Sequence, residues 1–210
     1  MFITFEGGEG CGKSVQSKLL YDYLIARGKN VTLTREPGGS AVSEEIRHIL
    51  LKGDIDKLAP ITETLLYMAA RSELWIKTIR PTLNAGGIVI SDRSQDSTVV
   101  YQGICKGVDR CLIESIFRSF SGNAMPDRTY VIDIAPSIGI ARSMSRDGND
   151  ETRFEKMGLK FHEAIRNAFL SLAQEDPKRF VVLDGALPAT DIHDAIVTDL
   201  IRICHRKLKL

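Results

Sequence analysis

The sequence predicts an α/β fold built on a parallel sheet, and three observations carry that prediction. Short apolar runs rich in β-branched and aromatic residues recur along the chain. Longer segments with helical periodicity separate them. The runs are nearly continuous in apolar residues, as strands buried on both faces are, rather than alternating as half-exposed antiparallel strands do. With 210 residues, 43% of them hydrophobic and 26% charged, the chain suits one domain with a small lid.

In chain order, the first run is MFITFE, followed by the Gly-rich stretch FEGGEGCGKS and the helical segment VQSKLLYDYLIARG, which Gly28 closes. The second run, NVTLTRE, leads into REPGG, Arg35 to Gly39. A long helix follows over ITETLLYMAARSELWIKTI, then the third run, GGIVISDR. The fourth, RTYVIDI, precedes a helix starting at Pro136, where a fixed φ and a missing N–H cost nothing. Residues 142–153, RSMSRDGNDETR, are polar, charged and Gly-containing, and form the candidate lid; RFVVLDG is the fifth run. In open parallel sheets ligands bind beyond the C-terminal strand ends. Three of those ends carry charge: Glu6, the REPGG turn, and DRS from Asp92 to Ser94.

Charge and cysteine content narrow the partners. Lys plus Arg number 28 against 27 Asp plus Glu, so the net charge of +1 leaves no footprint for duplex nucleic acid or an anionic membrane. Cys11, Cys105, Cys111 and Cys204 follow neither a C-x-x-C nor a zinc-ligand spacing and are expected as reduced thiols in a cytoplasmic protein. No basic leader or apolar run of bilayer-spanning length is apparent.

FEGGEGCGKS matches G-x-x-x-x-G-K-S/T through Gly7, Gly12, Lys13 and Ser14, between a predicted strand and a predicted helix. Such a loop turns its N–H groups inward on phosphates, its lysine reaches the β- and γ-phosphates, and its hydroxyl ligates Mg²⁺. Asp92 has the placement of a second Mg²⁺ ligand, or simply begins the next helix; Arg93 suits a second phosphate, or a surface ion pair. Tyr67 and Arg71 are one helical turn apart, and Thr98, Tyr101 and Gln102 share a spacing of i, i+3 and i+4. An aromatic plane and a donor fork suit an uncharged pyrimidine, although an aromatic at helical spacing is commonly core. Glu9 is the anomaly: a carboxylate inside an anion cradle.

FEGGEGCGKS, TREPGG, YMAAR, DRS followed by STVVYQG, and the late TRFE together resemble bacterial thymidylate kinases over essentially the whole chain. The resemblance implies a P-loop nucleoside-monophosphate kinase fold, with a five-stranded parallel sheet flanked by helices and a short lid. It implies a homodimer that uses Mg²⁺ to transfer the γ-phosphoryl group of ATP to dTMP, giving dTDP. By that resemblance Gly7, Gly8, Glu9, Gly10, Cys11, Gly12, Lys13, Ser14 and Arg142 contact ATP. Glu9 also accepts from the sugar 3′-hydroxyl. Tyr67 stacks on thymine, Arg71, Thr98 and Gln102 bond the base, and Tyr101 crowds the 2′ position. Glu36 holds a metal-bound water, and Arg47 and Arg93 hold the acceptor phosphate. The loop has no arginine, so the chain resembles the type whose lid supplies that charge, from Arg142, Arg146 or Arg153; Lys13, Arg93, Arg146 and Arg153 form the expected catalytic set. Thr152 stands where the family often has Asp, and DGNDE lengthens the lid. The alternatives are another P-loop deoxynucleoside or nucleoside-monophosphate kinase, or a nucleotide-dependent switch, for which no N-K-x-D occurs.

Overall fold

The computed structural model of the protein describes residues 1–145 and 153–207. Its five strands are β1 (Phe2–Glu6), β2 (Val31–Arg35), β3 (Ile88–Asp92), β4 (Arg128–Asp133) and β5 (Phe180–Asp184). They form one sheet in the order β2-β3-β1-β4-β5, with every pairing parallel. All five predicted runs are strands. Continuous burial, however, holds only for the central β1, β3 and β4; the edge strands β2 and β5 are partly open, with Val182 45% exposed.

Strand residues alternate between two cores, as the period of two requires. Ile3, Phe5, Ile90, Tyr130 and Ile132 face α1 (Lys13–Ile25) and α9 (Ala189–Lys207), meeting Leu20, Ile192 and Ile196. Val131 faces the opposite layer, which holds α3 (Pro60–Leu74), α6 (Arg110–Ser121) and α8 (Leu159–Glu175), with Met68, Ile113 and Phe169. Phe2 and Val89 pack with Leu74 and Trp75. Two buried faces explain why the strand sequences read as unbroken apolar runs.

Helix ends follow local chemistry. After α1, Gly28 at φ 68° lets its own N–H reach the Ile25 carbonyl while the Lys29 N–H reaches that of Leu24, the paired bonds of a Schellman cap. The long helix predicted from residue 61 runs further than its periodicity suggests: α3 passes through a π-helical turn, Trp75–Ile79, into α4 (Arg80–Asn84). Pro81 would clash with a carbonyl one turn back in a straight α-helix, and the widened turn before it relieves that conflict. Between them lie α2 (Ala41–Leu51), α5 (Gln95–Thr98), continued by a π-helical turn over Val99–Ile104, and α7 (Pro136–Met144).

Candidate functional site

From β1 the chain crosses to β2 on one side of the sheet, and from β3 it crosses to β4 on the other, so the crevice between β1 and β3 is the switch point where such sheets bind ligands. In register, Phe5 and Arg35 both lie opposite Asp92 across this carboxyl edge. Residues 7–12 leave β1 as a loop capped by Gly12 at φ 108°, a conformation favouring glycine, and α1 starts at Lys13. Close backbone approach fixes the loop from behind. A Cβ on Gly10 would stand 1.9 Å from the Gly139 carbonyl oxygen of α7, and one on Gly139 would stand 2.3 Å from that of Glu9. The buried face of α1 begins with polar Lys13, Gln16 and Ser17, because it looks into this crevice rather than into a core.

Lys13, buried at the loop's throat, donates from Nζ to the Gly7 and Gly8 carbonyls at 3.2 and 2.6 Å. Its ammonium is thereby held inside the ring of loop amides. Ser14 Oγ donates to Asp92 Oδ2, so hydroxyl and carboxylate meet at the mouth of the crevice. Two hard oxygen donors side by side fit Mg²⁺, which fills its shell from one or two protein oxygens, water and phosphate. Among the described residues no group of three or more His, Cys, Asp or Glu could hold a metal by itself.

Arg93 follows Asp92 with φ 73°, among the described residues the sole non-glycine at positive φ. Its backbone is held there: its N–H donates to the Phe5 carbonyl at 2.9 Å and its carbonyl accepts from Ser91 Oγ at 2.7 Å. Such strain costs about 1–3 kcal/mol and persists where surroundings enforce it. Here it accompanies a guanidinium laid across the phosphate loop, donating to the Gly7 carbonyl, to Ser97 Oγ and to Glu9 Oε1, the last at 2.9 Å. The same Glu9 oxygen accepts from the Tyr101 hydroxyl at 2.8 Å. Burial alone would raise the Glu9 pKa, but the Arg93 and Lys13 charges and the Tyr101 hydrogen bond outweigh it and bring it down to about 2. Burial, and then Glu9, push the Tyr101 phenol the other way, so it stays protonated and donates. Arg93 is therefore no surface ion pair; it ties the end of β3 to the loop.

Beneath them Glu6, fully buried, accepts from the Ser94 and Ser97 N–H groups at 2.8 and 3.2 Å and meets Ser97 Oγ at 2.6 Å. Burial, with the nearby Asp96 charge, raises its pKa to about 8 against the pull of Arg93 and these hydrogen bonds.

Past Glu9 the cleft opens into a second half. Arg71 is buried in its wall with its donors engaged: Nε to Glu36 at 2.5 Å, Nη1 to Thr98 Oγ1 at 2.9 Å, and Nη2 to the Ser94 carbonyl at 2.9 Å. In this state it braces Thr98 and Glu36 rather than projecting as an open fork. Glu36 Oε1 is buried without a hydrogen-bond partner, and burial outweighs the Arg71 pairing to raise this carboxyl's pKa. An orphaned oxygen on a cleft wall invites a donor from a ligand or its hydration shell. Arg47, Tyr67 and Gln102 also line the cleft; Arg47 Nη1 donates to the Pro37 carbonyl at 2.7 Å. Residues 95–103 are buried on every side, so α5 and its π-helical turn are a wedge between layers and not a surface helix with one polar face. Tyr101 stands there against Phe154, Phe161 and Phe169.

Three expected arginines fare differently. Arg142 lines the far end of the cleft and donates to the Gly185 carbonyl at 3.3 Å. Arg146 lies outside the described residues. Arg153, expected in the catalytic set, is instead 2% exposed and does not line the cleft. It donates to the carbonyls of Leu50, Asp54 and Ile55 at 3.0, 3.0 and 2.7 Å and pairs with Glu63, because a guanidinium this deep needs every donor answered from within. Sequence reasoning also passed over Glu63 and the depth of Glu6. Glu63 had a signal: it stands four residues before Tyr67, on the same helix face.

Lys13, Ser14, Asp92, Arg93, Glu9, Glu36, Arg47, Arg71, Thr98 and Tyr101 border one cleft of about 1030 Å³, which also takes in Arg142 and Gly185 to Ala189 from one set of elements and Tyr67 and Gln102 from another. Ligand pockets span about 300–1000 Å³, so this cleft lies at the top of that range. The thymidylate kinase family model matches residues 5–196. A thymidylate kinase of Pelobacter propionicus is 42% identical over 205 residues, covering 96% of this chain and 94% of its own. One from Magnetococcus marinus is 46% identical over 187 residues, covering 89% of each. A crystal structure of thymidylate kinase from Ehrlichia chaffeensis superposes with a TM-score of 0.75 at 35% identity, covering 95% of this chain and 98% of that one.

Proposed function

Because the chain belongs to the thymidylate kinase family, we propose that it transfers the γ-phosphoryl group of ATP to the phosphate of dTMP, yielding dTDP. The observation that supports this most is the place of Glu9: among the described residues the loop carboxylate bonds Arg93 and Tyr101 and not the ammonium of Lys13, and it lines the cleft. A carboxylate there accepts a sugar hydroxyl of an acceptor nucleotide, and the anion cradle stays with ATP.

The tasks we assign are these. The loop N–H groups and Lys13 hold the ATP phosphates, and Lys13 exchanges loop carbonyls for phosphate oxygens. Ser14 and Asp92 would hold Mg²⁺, which supplies charge to the phosphate oxygens when bound. Arg93 and Arg47 hold the acceptor phosphate; Tyr67 stacks on the base, with Thr98 and Gln102 at its edge and Arg71 bracing Thr98. Tyr101, pinned between Glu9 and an aromatic cluster, crowds a 2′-hydroxyl. Glu36, with its unpartnered Oε1, would accept from the hydration shell of the Mg²⁺ ion. Arg142 supplies cationic charge from the donor side of the transferred group, and the family resemblance gives Arg146, outside the described residues, the same task.

A deoxynucleoside kinase is disfavoured, since its acceptor hydroxyl needs a general base while this half of the cleft collects arginines. The exposed Val42, Ile49, Leu65 and Leu112 of the neighbouring helices α2, α3 and α6 support a homodimer. Cys11, Cys105 and Cys111 are free thiols, and no described helix is long and apolar enough to cross a membrane, which supports a cytoplasmic place. ADP release measured across a panel of nucleoside monophosphates tests the central proposal: dTMP should lead in kcat/KM, and equal turnover of UMP or CMP would reject it.

A further inference from the structure

Glu63 is a fully buried carboxylate at the acceptor end of the cleft, and none of the roles above uses it. Two hydrogen-bond donors and a second cation converge on it. Gln102 Nε2 and Lys106 Nζ reach Oε1 at 2.8 and 2.7 Å, and Arg153 Nη1 lies 2.5 Å from Oε2. Arg153 is itself anchored on the carbonyls of Leu50, Asp54 and Ile55, so the carboxylate is clamped between fixed cations.

A glutamine amide is nearly symmetrical in shape and opposite in chemistry at its two ends. Beside a carboxylate clamped by two cations, which offers only lone pairs, Gln102 must present its NH₂ group. Its carbonyl oxygen then points elsewhere. Gln102 lines the cleft, and its Oε1 neither accepts a hydrogen bond from a described residue nor ranks among the sealed, unpartnered atoms. The cleft is thus offered an acceptor, not a donor.

We infer that Glu63 is a specificity-positioning residue: by fixing the Gln102 amide it leaves a carbonyl acceptor facing the base, which selects pyrimidines carrying a protonated ring nitrogen between two carbonyls. Thymine and uracil present that N–H; cytosine presents a lone pair at the same atom and meets lone pair with lone pair. This rests on the reading of the acceptor half given above. Lys106 and Arg153 act through Glu63, holding the carboxylate that holds the amide.

The test compares dTMP with dCMP as acceptors for the full-length enzyme with ATP. In Glu63→Gln the new amide can donate as well as accept, so Gln102 is free to reverse. In Glu63→Asp the charge stays for Lys106 and Arg153, which keeps the fold, but the carboxylate withdraws from Gln102. Both variants should lower the dTMP-to-dCMP ratio of kcat/KM about tenfold, the scale of one misplaced hydrogen bond. The loss should appear in the acceptor KM, with the ATP KM unchanged. Gln102→Met should lower the ratio similarly, and adding Glu63→Asp to it should lower it no further. A purely structural Glu63 depresses both acceptors equally. A wild type indifferent to dTMP sinks the proposed function and this inference with it; a wild type selective for dTMP whose ratio survives both Glu63 substitutions sinks the inference alone.

Discussion

The Glu9 carboxylate and the Arg93 guanidinium meet at 2.9 Å across the seam between the phosphate loop and the end of β3, each less than one-fifth exposed. The pair joins the two strand ends that form the switch point, and it explains how an anion cradle tolerates an anion. Glu9 is held ionised chiefly by Arg93 of the neighbouring strand end, while Lys13 Nζ bonds the loop carbonyls.

Glu9→Gln keeps an acceptor for Tyr101 and loses the charge. A hydrogen bond to a charged group contributes about 1.5–3 kcal/mol, so kcat/KM for dTMP should fall roughly 10- to 100-fold while ATP affinity stays within a few-fold. Because the folded-state pKa of about 2 lies below the ordinary 4.5, Glu9 contributes stability above pH 4.5 that is lost as pH falls toward 2. Urea midpoints measured from pH 2 to 6 should therefore decline less steeply in Glu9→Gln than in the parent.

Lys13→Ala should abolish phosphoryl transfer with little effect on the fold. Among the described residues the ammonium bonds only to its own loop, at Gly7, Gly8 and Cys11. Loss of such a charge costs on the order of 10²- to 10³-fold or more in kcat. An unaltered circular dichroism spectrum and melting curve beside lost ADP release is the expected pattern; retained turnover would reject the cradle.

Gly10→Ala places a methyl 1.9 Å from the Gly139 carbonyl at a backbone φ of 63°, so loop and α7 must separate. Overpacking of this kind costs about 1–3 kcal/mol, and nucleotide affinity should drop more than stability because the loop carries the displacement. Gly8→Ala is the control: a Cβ there meets nothing within 4 Å. Isothermal titration with an unhydrolysable ATP analogue separates the two variants.

Glu6 should set an alkaline trend. Its folded pKa of about 8 exceeds the ordinary 4.5, so between those values the native state retains a proton that the unfolded chain has released, and stability falls as pH rises. Glu6→Gln mimics the protonated side chain, accepting from Ser94 and Ser97 N–H groups and donating to Ser97 Oγ. It should be at least as stable as the parent at pH 8 and show a flatter dependence from pH 5 to 8 in chemical denaturation. A steeper loss in the variant would contradict the assignment.

How much of this was legible in the sequence varies with the kind of interaction. The central strands were, because two buried faces leave an unbroken apolar run; β2 and β5 read the same way although their edges are partly open. The loop and the strand-end acids were, because Lys13, Ser14 and Asp92 sit at fixed spacings from elements that periodicity already placed. Arg71 lines the cleft, yet its bonds to Glu36, Thr98 and Ser94 connect segments up to 35 residues apart, which spacing along one helix cannot register. The Arg93 backbone at positive φ left no compositional mark either, since glycine is the residue that usually announces it. Arg153 misled for a related reason: a charged residue in a polar run reads as solvated, and only the fold reveals carbonyls from the end of α2 and the turn after it converging on it.

That environment makes Arg153 the sharpest test of structure against sequence. As a transition-state contact it would affect kcat; as built, it closes a buried cluster with Glu63, at 2% and 0% side-chain exposure, and anchors three backbone carbonyls of residues 50–55. Breaking a buried pair leaves the partner's charge uncompensated, at a cost of about 3–5 kcal/mol. Lys106 and Gln102 still serve Glu63, so Arg153→Ala should fall near the lower figure, a drop of about 6–12 °C in melting temperature for a chain of this size. At 15 °C, where the variant remains folded, kcat should stay within about threefold of the parent, a span of about 0.7 kcal/mol in barrier. Thermal melts paired with steady-state kinetics decide the matter: a normal melting temperature with kcat reduced a hundredfold would return Arg153 to the catalytic set.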